Sequence, residues 1–142
     1  MELDEVIAAY REACAEVVRG DATSLERLYS RRDDVTLANP WGPARRGWSE
    51  VSQTVERAAT QFRDGGPQAV GHEQLSCFVG AELVCLVENE RWQAKVAGGD
   101  EVSTFELRAT TVFRLEDGTW KVVHRHADPI TTANPRGPLR PS

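Results

Sequence analysis

The sequence predicts an α+β domain in which three N-terminal helices pack into a strongly curved, mixed or antiparallel sheet. Apolar residues recur at helical spacing in the first half of the chain, whereas β-branched and aromatic residues dominate the second half. Asp117-Gly118 separates two of these later runs, and an Asp-Gly pair is typical of a β-hairpin turn. Helices followed by a long antiparallel meander are typical of an α+β domain. Long one-sided strands must curl around the helices to bury their apolar face, so we expect a cone-shaped barrel with an open mouth.

Three segments have the periodicity of amphipathic helices. Leu3, Tyr10 and Cys14 belong to an apolar stripe that predicts a helix over 3–19, and Gly20 ends it. A second, shorter helix is predicted over 22–30 and a third over 48–63. The Asp-Gly-Gly-Pro run at 64–67 should stop the third helix.

The remaining segments are predicted as strands and connecting loops. A short strand is expected at 34–38, followed by a loop from Asn39 to Gly47 that contains two prolines. Longer strands are predicted at about 69–79, 82–95, 102–116 and 119–128. We therefore expect a single conical domain over 1–130 and an irregular, proline-rich tail over 131–142.

Composition narrows the class of protein. The chain has 142 residues, enough for one domain with a real core, and its net charge of −5 argues against a nucleic-acid partner. No apolar run approaches the ~20 residues that span a bilayer, so no membrane partner is expected. The acidic N-terminus lacks the pattern of a signal peptide. Three cysteines at no metal-ligand spacing indicate free thiols in a reducing, cytoplasmic setting.

The register of the last hairpin predicts which side chains face the interior. A two-residue turn at Asp117-Gly118 pairs Glu116 with Thr119, and paired residues share a face of the sheet. The inner face then carries alternate residues of both strands, namely Ala109, Thr111, Phe113, Trp120, Val122, His124 and His126. His124 should lie opposite Thr111, and Arg125 should point outward. A three-residue loop or a β-bulge would reverse this assignment.

The preceding hairpin is open to two registers. If Gly98-Gly99 forms a two-residue turn, Glu88, Glu90 and Trp92 also face inward and can contact a ligand. A slip of one residue sends both glutamates outward.

His124, His126 and Asp128 are the predicted catalytic residues. Histidine exchanges protons near neutral pH, and an aspartate two residues away on the same strand face can orient its ring. An equally weighted alternative is that these histidines only form hydrogen bonds across the sheet. Two histidines could also reach a metal ion, but no third ligand is evident, so neither a metal nor an organic cofactor is expected.

Two further regions supply candidate ligand-binding residues. In the loop after the first short strand, Asn39 could anchor a polar group and Trp41 could stack on an aromatic ligand, or Trp41 could simply pack in the core. Tyr10 and Cys14 share one face of the first helix and are expected to line the back of the cone.

Three motifs resemble one known superfamily. The first helix ends in Gly20-Asp21, a strand leads into ANPWG at 38–42, and TVFRLEDGTWKVVHRHADP closes the domain at 111–129. Together they resemble the nuclear transport factor 2-like superfamily, in its SnoaL-like, ketosteroid-isomerase-related branch, over about residues 3–129. The resemblance implies a conical pocket and a homodimer packed through the sheet face. It also implies an interface near the predicted outer row of Glu106, Arg108, Thr110 and Arg125.

The resemblance also shows where this chain departs from ketosteroid isomerases. Asn39 matches the position of their aspartate base, Cys14 that of their tyrosine oxyanion donor, and Thr111 that of their acidic oxyanion donor. An amide cannot take a proton from carbon near neutral pH, so that isomerase mechanism is not expected. Two functions stay open. The chain is either a cofactor-independent acid–base enzyme (isomerase, cyclase, dehydratase or hydrolase) acting on a small hydrophobic molecule, or a non-catalytic ligand-binding or association domain.

Overall fold

The computed structural model describes residues 1–62, 70–95 and 99–139. Within these ranges the chain forms three helices, α1 (Leu3–Val18), α2 (Thr23–Leu28) and α3 (Trp48–Thr60). It also forms six strands, β1 (Thr36–Ala38), β2 (Arg45–Arg46), β3 (Val70–Val79), β4 (Leu83–Lys95), β5 (Val102–Glu116) and β6 (Thr119–Asp128). The predicted α+β architecture is confirmed. No helix in the described part of the chain is long and apolar enough to cross a membrane.

One mixed sheet curls around the helices without closing. Its strand order is β2-β1-β6-β5-β4-β3, with β1 parallel to β6 and every other pair antiparallel. The two-residue strand β2 lies within the segment that was predicted to be a loop throughout. The predicted helix stop at 64–67 and the Gly98 half of the predicted Gly98-Gly99 turn lie outside the described residues.

The core lies between α1, α3 and the concave face of the sheet. Val6 and Tyr10 of α1, and Val51 and Val55 of α3, are at most 2% exposed, as the helical spacing predicted. Phe113 packs edge-on against Tyr10 with ring centroids 5.4 Å apart, an arrangement that aromatic pairs prefer. The inner face of the sheet therefore meets the helices through large apolar side chains.

A β-bulge in β6 overturns part of the predicted register. Near the turn, Glu116 pairs with Thr119 as predicted. Further on, Phe113 pairs with Val122 but Val112 pairs with His124, so Val123 is the extra residue of a bulge. Beyond that point every side chain of β6 lies on the face opposite to the predicted one.

The prediction that His124 and His126 face the interior is therefore wrong. Thr111 pairs with Arg125 rather than with His124, and it is Arg125 that is buried, at 8% exposed. Asp128, which was expected on the same inner face as the histidines, pairs with Arg108 of the outer row. Of the residues predicted for the outer row, Arg125 alone moves to the inside.

Of the two registers left open for the β4 hairpin, the structure has the one in which Glu88, Glu90 and Trp92 face inward. Glu88, Glu90 and Trp92 are each 1% exposed on the concave face. His72 of β3 lies directly opposite Glu90, so it shares that face, whereas its neighbour Glu73 is exposed. The concave face thus carries several ionisable side chains among its apolar ones.

Candidate functional site

A cavity of about 350 Å³ lies between the helices and the curled sheet. Its helical wall includes Val17 of α1 together with Val55 and Ala58 of α3. Its sheet wall includes Trp92 and Leu107. The walls are mostly apolar, and the volume lies within the range of small-molecule sites in proteins.

Aromatic rings surround one part of this cavity. Trp41 lies edge-on to Phe62, with ring centroids 6.2 Å apart, and Phe62 stacks on Phe105 at 5.8 Å. The side chain of Asn39 holds the loop by accepting a hydrogen bond from the Trp41 N–H at 3.1 Å. Trp41 is 49% exposed, so it lies at the solvent edge rather than in the core. Asn39 and Trp41, both predicted to contact a ligand, line the cavity.

Among the described residues that line the cavity, Arg125 is the one that carries a charge. A buried network of hydrogen bonds holds its side chain in place. Its Nη1 donates to Tyr10 Oη at 2.6 Å and to Glu90 Oε2 at 2.8 Å, and its Nη2 donates to Glu90 Oε1 at 2.8 Å. The hydroxyls of Tyr10 and Thr111 are hydrogen-bonded at 2.7 Å, and Trp92 Nε1 donates to Glu90 Oε1 at 3.1 Å. The guanidinium is thus held against the cavity wall by Tyr10 of α1 and Glu90 of β4, and Thr111 of β5 holds Tyr10 in turn.

Burial and charge act in opposite directions on this network. Burial alone would raise the pKa of Glu90, but the Arg125 guanidinium outweighs it and holds that pKa below its ordinary value. Burial raises the pKa of Tyr10 well above its ordinary value despite the opposing effect of Arg125. At neutral pH the network therefore contains a carboxylate, a guanidinium and a neutral phenol.

Cys14 and Arg125 are the titratable side chains in the described lining of the cavity. Burial raises the pKa of the Cys14 thiol to about 12, so it is neutral near pH 7. Arg125 is permanently protonated. The described lining therefore supplies hydrogen-bond donors but no group that accepts a proton near neutral pH.

A second buried polar cluster, formed by His72, Glu88 and Glu90, lies beside the cavity on the inner face of β3 and β4. Glu88 Oε1 accepts hydrogen bonds from Arg11 Nη2 at 2.8 Å and Arg11 Nε at 3.1 Å. Glu88 Oε2 and His72 Nε2 are both buried and make no hydrogen bond within the described structure. The His72 ring lies edge-on to Trp92, with centroids 5.6 Å apart. Thr111 faces inward as predicted, and Glu88 faces inward as in one of its two open registers, but both lie outside the cavity lining. Cys14 and Trp92 lie within it.

The three predicted catalytic residues lie together on the opposite, convex face of the sheet. His124 Nδ1 is 2.7 Å from Thr36 Oγ1 across the β1–β6 pair, which matches the structural alternative for this histidine. His126 Nε2 lies 3.2 Å from Asp128 Oδ2, so the predicted contact between this aspartate and a histidine exists. Arg108 Nε donates to Asp128 Oδ1 at 2.7 Å. The bulge has thus carried the histidines away from the cavity, and their acid–base role stays a prediction.

Sequence reasoning missed the inward position of Arg125. The signal was Val122-Val123, two adjacent apolar residues that interrupt the alternation of β6, and both are buried. Such a doublet in a half-buried strand indicates a bulge, because both side chains cannot face the core in a regular strand.

The family model for the SnoaL-like domain matches residues 6–131. The chain belongs to this family. Many solved structures share the fold of this SnoaL-like domain. A comparison with curated proteins finds no match. A nuclear transport factor 2-like superfamily protein from Salmonella enterica superimposes with a TM-score of 0.75 at 14% identity, covering 95% of this chain and 93% of that one.

Two other solved structures show the range of proteins that share the fold. A ketosteroid isomerase-like protein from Erwinia carotovora has a TM-score of 0.73 at 16% identity, covering 92% of this chain and 95% of that one. A protein from Thiobacillus denitrificans has a TM-score of 0.70 at 18% identity, covering 89% of this chain and 94% of that one. It is provisionally assigned as a calcium/calmodulin-dependent protein kinase type II association domain. Likeness at this level of identity establishes the fold alone.

Proposed function

We propose that this SnoaL-like domain binds a small, mostly apolar molecule in the cavity, with one hydrogen-bond acceptor directed at Arg125. The observation that carries the proposal is the composition of the cavity wall. Apolar side chains from α1, α3 and the sheet surround about 350 Å³, and a fixed guanidinium lies among them. Sites for small molecules typically combine an apolar wall with a few placed polar groups.

The hydrogen bonds of Arg125 indicate where the acceptor would lie. Nη1 uses its two N–H groups on Tyr10 and Glu90, and Nη2 uses one on Glu90. The Nε–H and the second Nη2–H make no hydrogen bond to a described residue, so they are the donors that a ligand oxygen can use.

The charge of the network indicates a neutral ligand. Two hydrogen bonds to the Glu90 carboxylate already balance the charge of Arg125. A second carboxylate brought by a ligand would lose its hydration against a pair that is already neutral, and this costs free energy. A ketone, ester or amide oxygen would be a better match.

The alternative is a cofactor-independent acid–base enzyme that uses the same cavity. Arg125 could then stabilise negative charge on an oxygen during the reaction. Such an enzyme also needs a base within hydrogen-bond reach of its substrate, and the described lining contains none that is deprotonated near neutral pH. Binding without turnover is therefore the function that we propose first.

Two ligands of the same shape test the role of Arg125. Fluorene and 9-fluorenone are flat apolar molecules that differ by one carbonyl oxygen. If that oxygen accepts from Arg125, fluorenone should bind about tenfold or more tightly than fluorene, because a hydrogen bond to a charged donor contributes about 1.5–3 kcal/mol. Isothermal titration measures both affinities. Equal affinities would contradict the proposed role of Arg125.

Neighbouring residues of β5 provide matched variants for locating the site. Ser103 lines the cavity, whereas Thr104 follows it and points to the other face. Ser103→Trp should fill part of the cavity and abolish fluorenone binding, and Thr104→Trp should leave binding unchanged. Binding that survives Ser103→Trp would place the ligand elsewhere. Conversion of fluorenone-like ketones or esters to products would favour the enzyme alternative.

We also propose that the convex sheet face associates with a second copy of the chain. Leu75 and Phe78 of β3 are 56% and 62% exposed, and Phe78 pairs with Cys85 on the outer side of the sheet. Exposed apolar side chains of this size favour association. Phe78→Glu should convert a dimer to a monomer in light scattering, and Glu50→Gln, at an exposed position of α3 away from the sheet, serves as the control. A wild-type protein that is monomeric at 100 μM would contradict this proposal.

A further inference from the structure

We propose that His72, Glu88 and Glu90 form a binding site for a divalent transition-metal ion on the inner face of β3 and β4. One ligand atom from each residue, an imidazole nitrogen and two carboxylate oxygens, lies within 4.8 Å of the others. This cluster is separate from the apolar cavity, and none of its members lines that cavity. The inference is therefore independent of the proposed ligand.

Two unpartnered atoms point to an occupant. The Glu88 side chain is fully buried, yet its Oε2 has no hydrogen-bond partner in the described structure, and neither has the buried His72 Nε2. A buried carboxylate oxygen without a partner is costly, and native proteins nearly always satisfy such groups with protein atoms, water or an ion. The imidazole nitrogen and the carboxylate oxygen both have lone pairs that a cation can accept.

The spacing of the three ligand atoms suits a metal ion. Three atoms at mutual distances of up to 4.8 Å have a common centre within about 2.8 Å of each. Metal–nitrogen and metal–oxygen distances for zinc are about 2.0–2.2 Å, so side-chain shifts of under ~1 Å bring all three atoms into range. The pairing of His72 with Glu90 across two adjacent strands fixes two ligands on a rigid backbone.

Glu90 can bind a cation without giving up its ion pair with Arg125. Its Oε1 accepts from Trp92 and from Arg125, but its Oε2 accepts only from Arg125 among the described residues. A carboxylate oxygen has two lone pairs, so one on Oε2 is still available.

Arg11 provides the route to the site and competes with the metal ion. Its side chain is 29% exposed and lies over Glu88, which it holds through Oε1 alone. If the side chain turns into solvent, it leaves Glu88 to the metal and opens the site. A mixed set of one imidazole and two carboxylates suits zinc, iron or manganese better than calcium or magnesium, which prefer oxygen ligands alone.

The test is titration of chelator-treated, dialysed protein with ZnCl2 and, separately, MnCl2, followed by calorimetry. Wild-type protein should bind one equivalent of at least one of the two ions, and His72→Gln and Glu88→Gln should each weaken that binding at least tenfold. Arg11→Gln should strengthen it several-fold, because the competing cation is gone. Because Arg11 is partly exposed, Arg11→Gln should fold even if Glu88→Gln does not, and its effect on metal affinity can then still be measured.

Two surface variants serve as controls. Glu73→Gln alters a carboxylate next to His72 on the opposite face, and His126→Gln removes the exposed histidine that contacts Asp128. Neither should change the affinity. If wild-type protein binds neither ZnCl2 nor MnCl2 at 100 μM, the proposal is overturned. Full binding by His72→Gln or Glu88→Gln, or a loss caused by His126→Gln, would overturn it too.

Discussion

Two arginine–carboxylate pairs on the two faces of the sheet show how position changes the value of the same contact. Arg125 and Glu90 lie on the concave face at 2.8 Å, with side chains 10% and 0% exposed. Arg108 and Asp128 lie on the convex face at 2.7 Å, with side chains 57% and 20% exposed. The distances are nearly equal, but water reaches only the second pair freely.

Distance alone therefore does not rank the contributions of these two ion pairs to stability. An exposed pair is screened by water and contributes about 0–1 kcal/mol. A buried pair gains little over apolar residues of the same shape, but removal of one partner leaves an uncompensated charge and costs about 3–5 kcal/mol. The concave face should therefore tolerate little change, whereas the convex face should tolerate much.

The largest effect is expected when the buried pair loses its negative charge. Glu90→Gln should lower the free energy of unfolding by about 3–5 kcal/mol, because Arg125 keeps its charge in a dry environment. Asp128→Asn is the matched control and should cost under about 1 kcal/mol. Urea unfolding followed by circular dichroism measures both. Similar losses for the two variants would erase the distinction between the faces.

The reactivity of the Cys14 thiol reports how well the concave face excludes water. Burial raises the pKa of Cys14 from 9.0 to about 12, and the thiolate is the reactive form. At pH 8 the thiolate fraction is then about a thousandfold lower than that of an unperturbed thiol. Iodoacetamide should therefore modify Cys14 at least a hundredfold more slowly in native protein than in urea-unfolded protein at pH 8. Peptide mass spectrometry gives the two rates, and equal rates would mean that the cavity wall is open to solvent.

Acid should lower the free energy of unfolding, because it protonates Glu90 in its ion pair with Arg125 on the concave face. The folded-state pKa of Glu90 lies below its ordinary value of 4.5, so the unfolded chain binds more protons near pH 4.5. Its stabilisation is therefore present above pH 4.5 and is lost as the pH falls through the folded-state pKa. Stability curves between pH 7 and 3 should be steeper for wild type than for Glu90→Gln below pH 4.5. Parallel curves would contradict the ion pair.

A smaller pH effect is expected from His124 on the convex face. Burial, and then the charge of His126, lower the pKa of His124 below 6.5 in the folded protein. Because the unfolded chain then binds more protons, stability should decrease as the pH falls below 6.5. His124→Gln should reduce the slope of stability against pH between 6.5 and 5. An unchanged slope would show that His124 titrates normally.

Most of the fold could be predicted from periodicity, because most of its helices and strands have a pattern that a short local segment shows. The helical stripe of α1, the Asp117-Gly118 turn and the alternation of β5 are local signals, and the structure has all three. The strand β2 was missed because two exposed residues carry no alternation. It exists through pairing with β1, which is a tertiary effect.

The candidate site was harder to predict, because one extra residue reverses a strand. Asn39, Trp41, Cys14 and Trp92 all line the cavity, and their positions do not depend on the β6 register. The choice between Arg125 and its histidine neighbours depended entirely on the bulge at Val123. The contacts of Arg125 with Tyr10 and Glu90 join residues far apart in the chain, and no local pattern signals them.

A crystal structure of the protein with 9-fluorenone would test the central claim most directly. We expect the rings in the cavity between Val55 and Leu107, and the carbonyl oxygen within 2.7–3.2 Å of Arg125 Nε or Nη2. A ligand on the convex face beside His126 and Asp128, or a β6 strand with His124 turned inward and Arg125 outward, would contradict the proposed site.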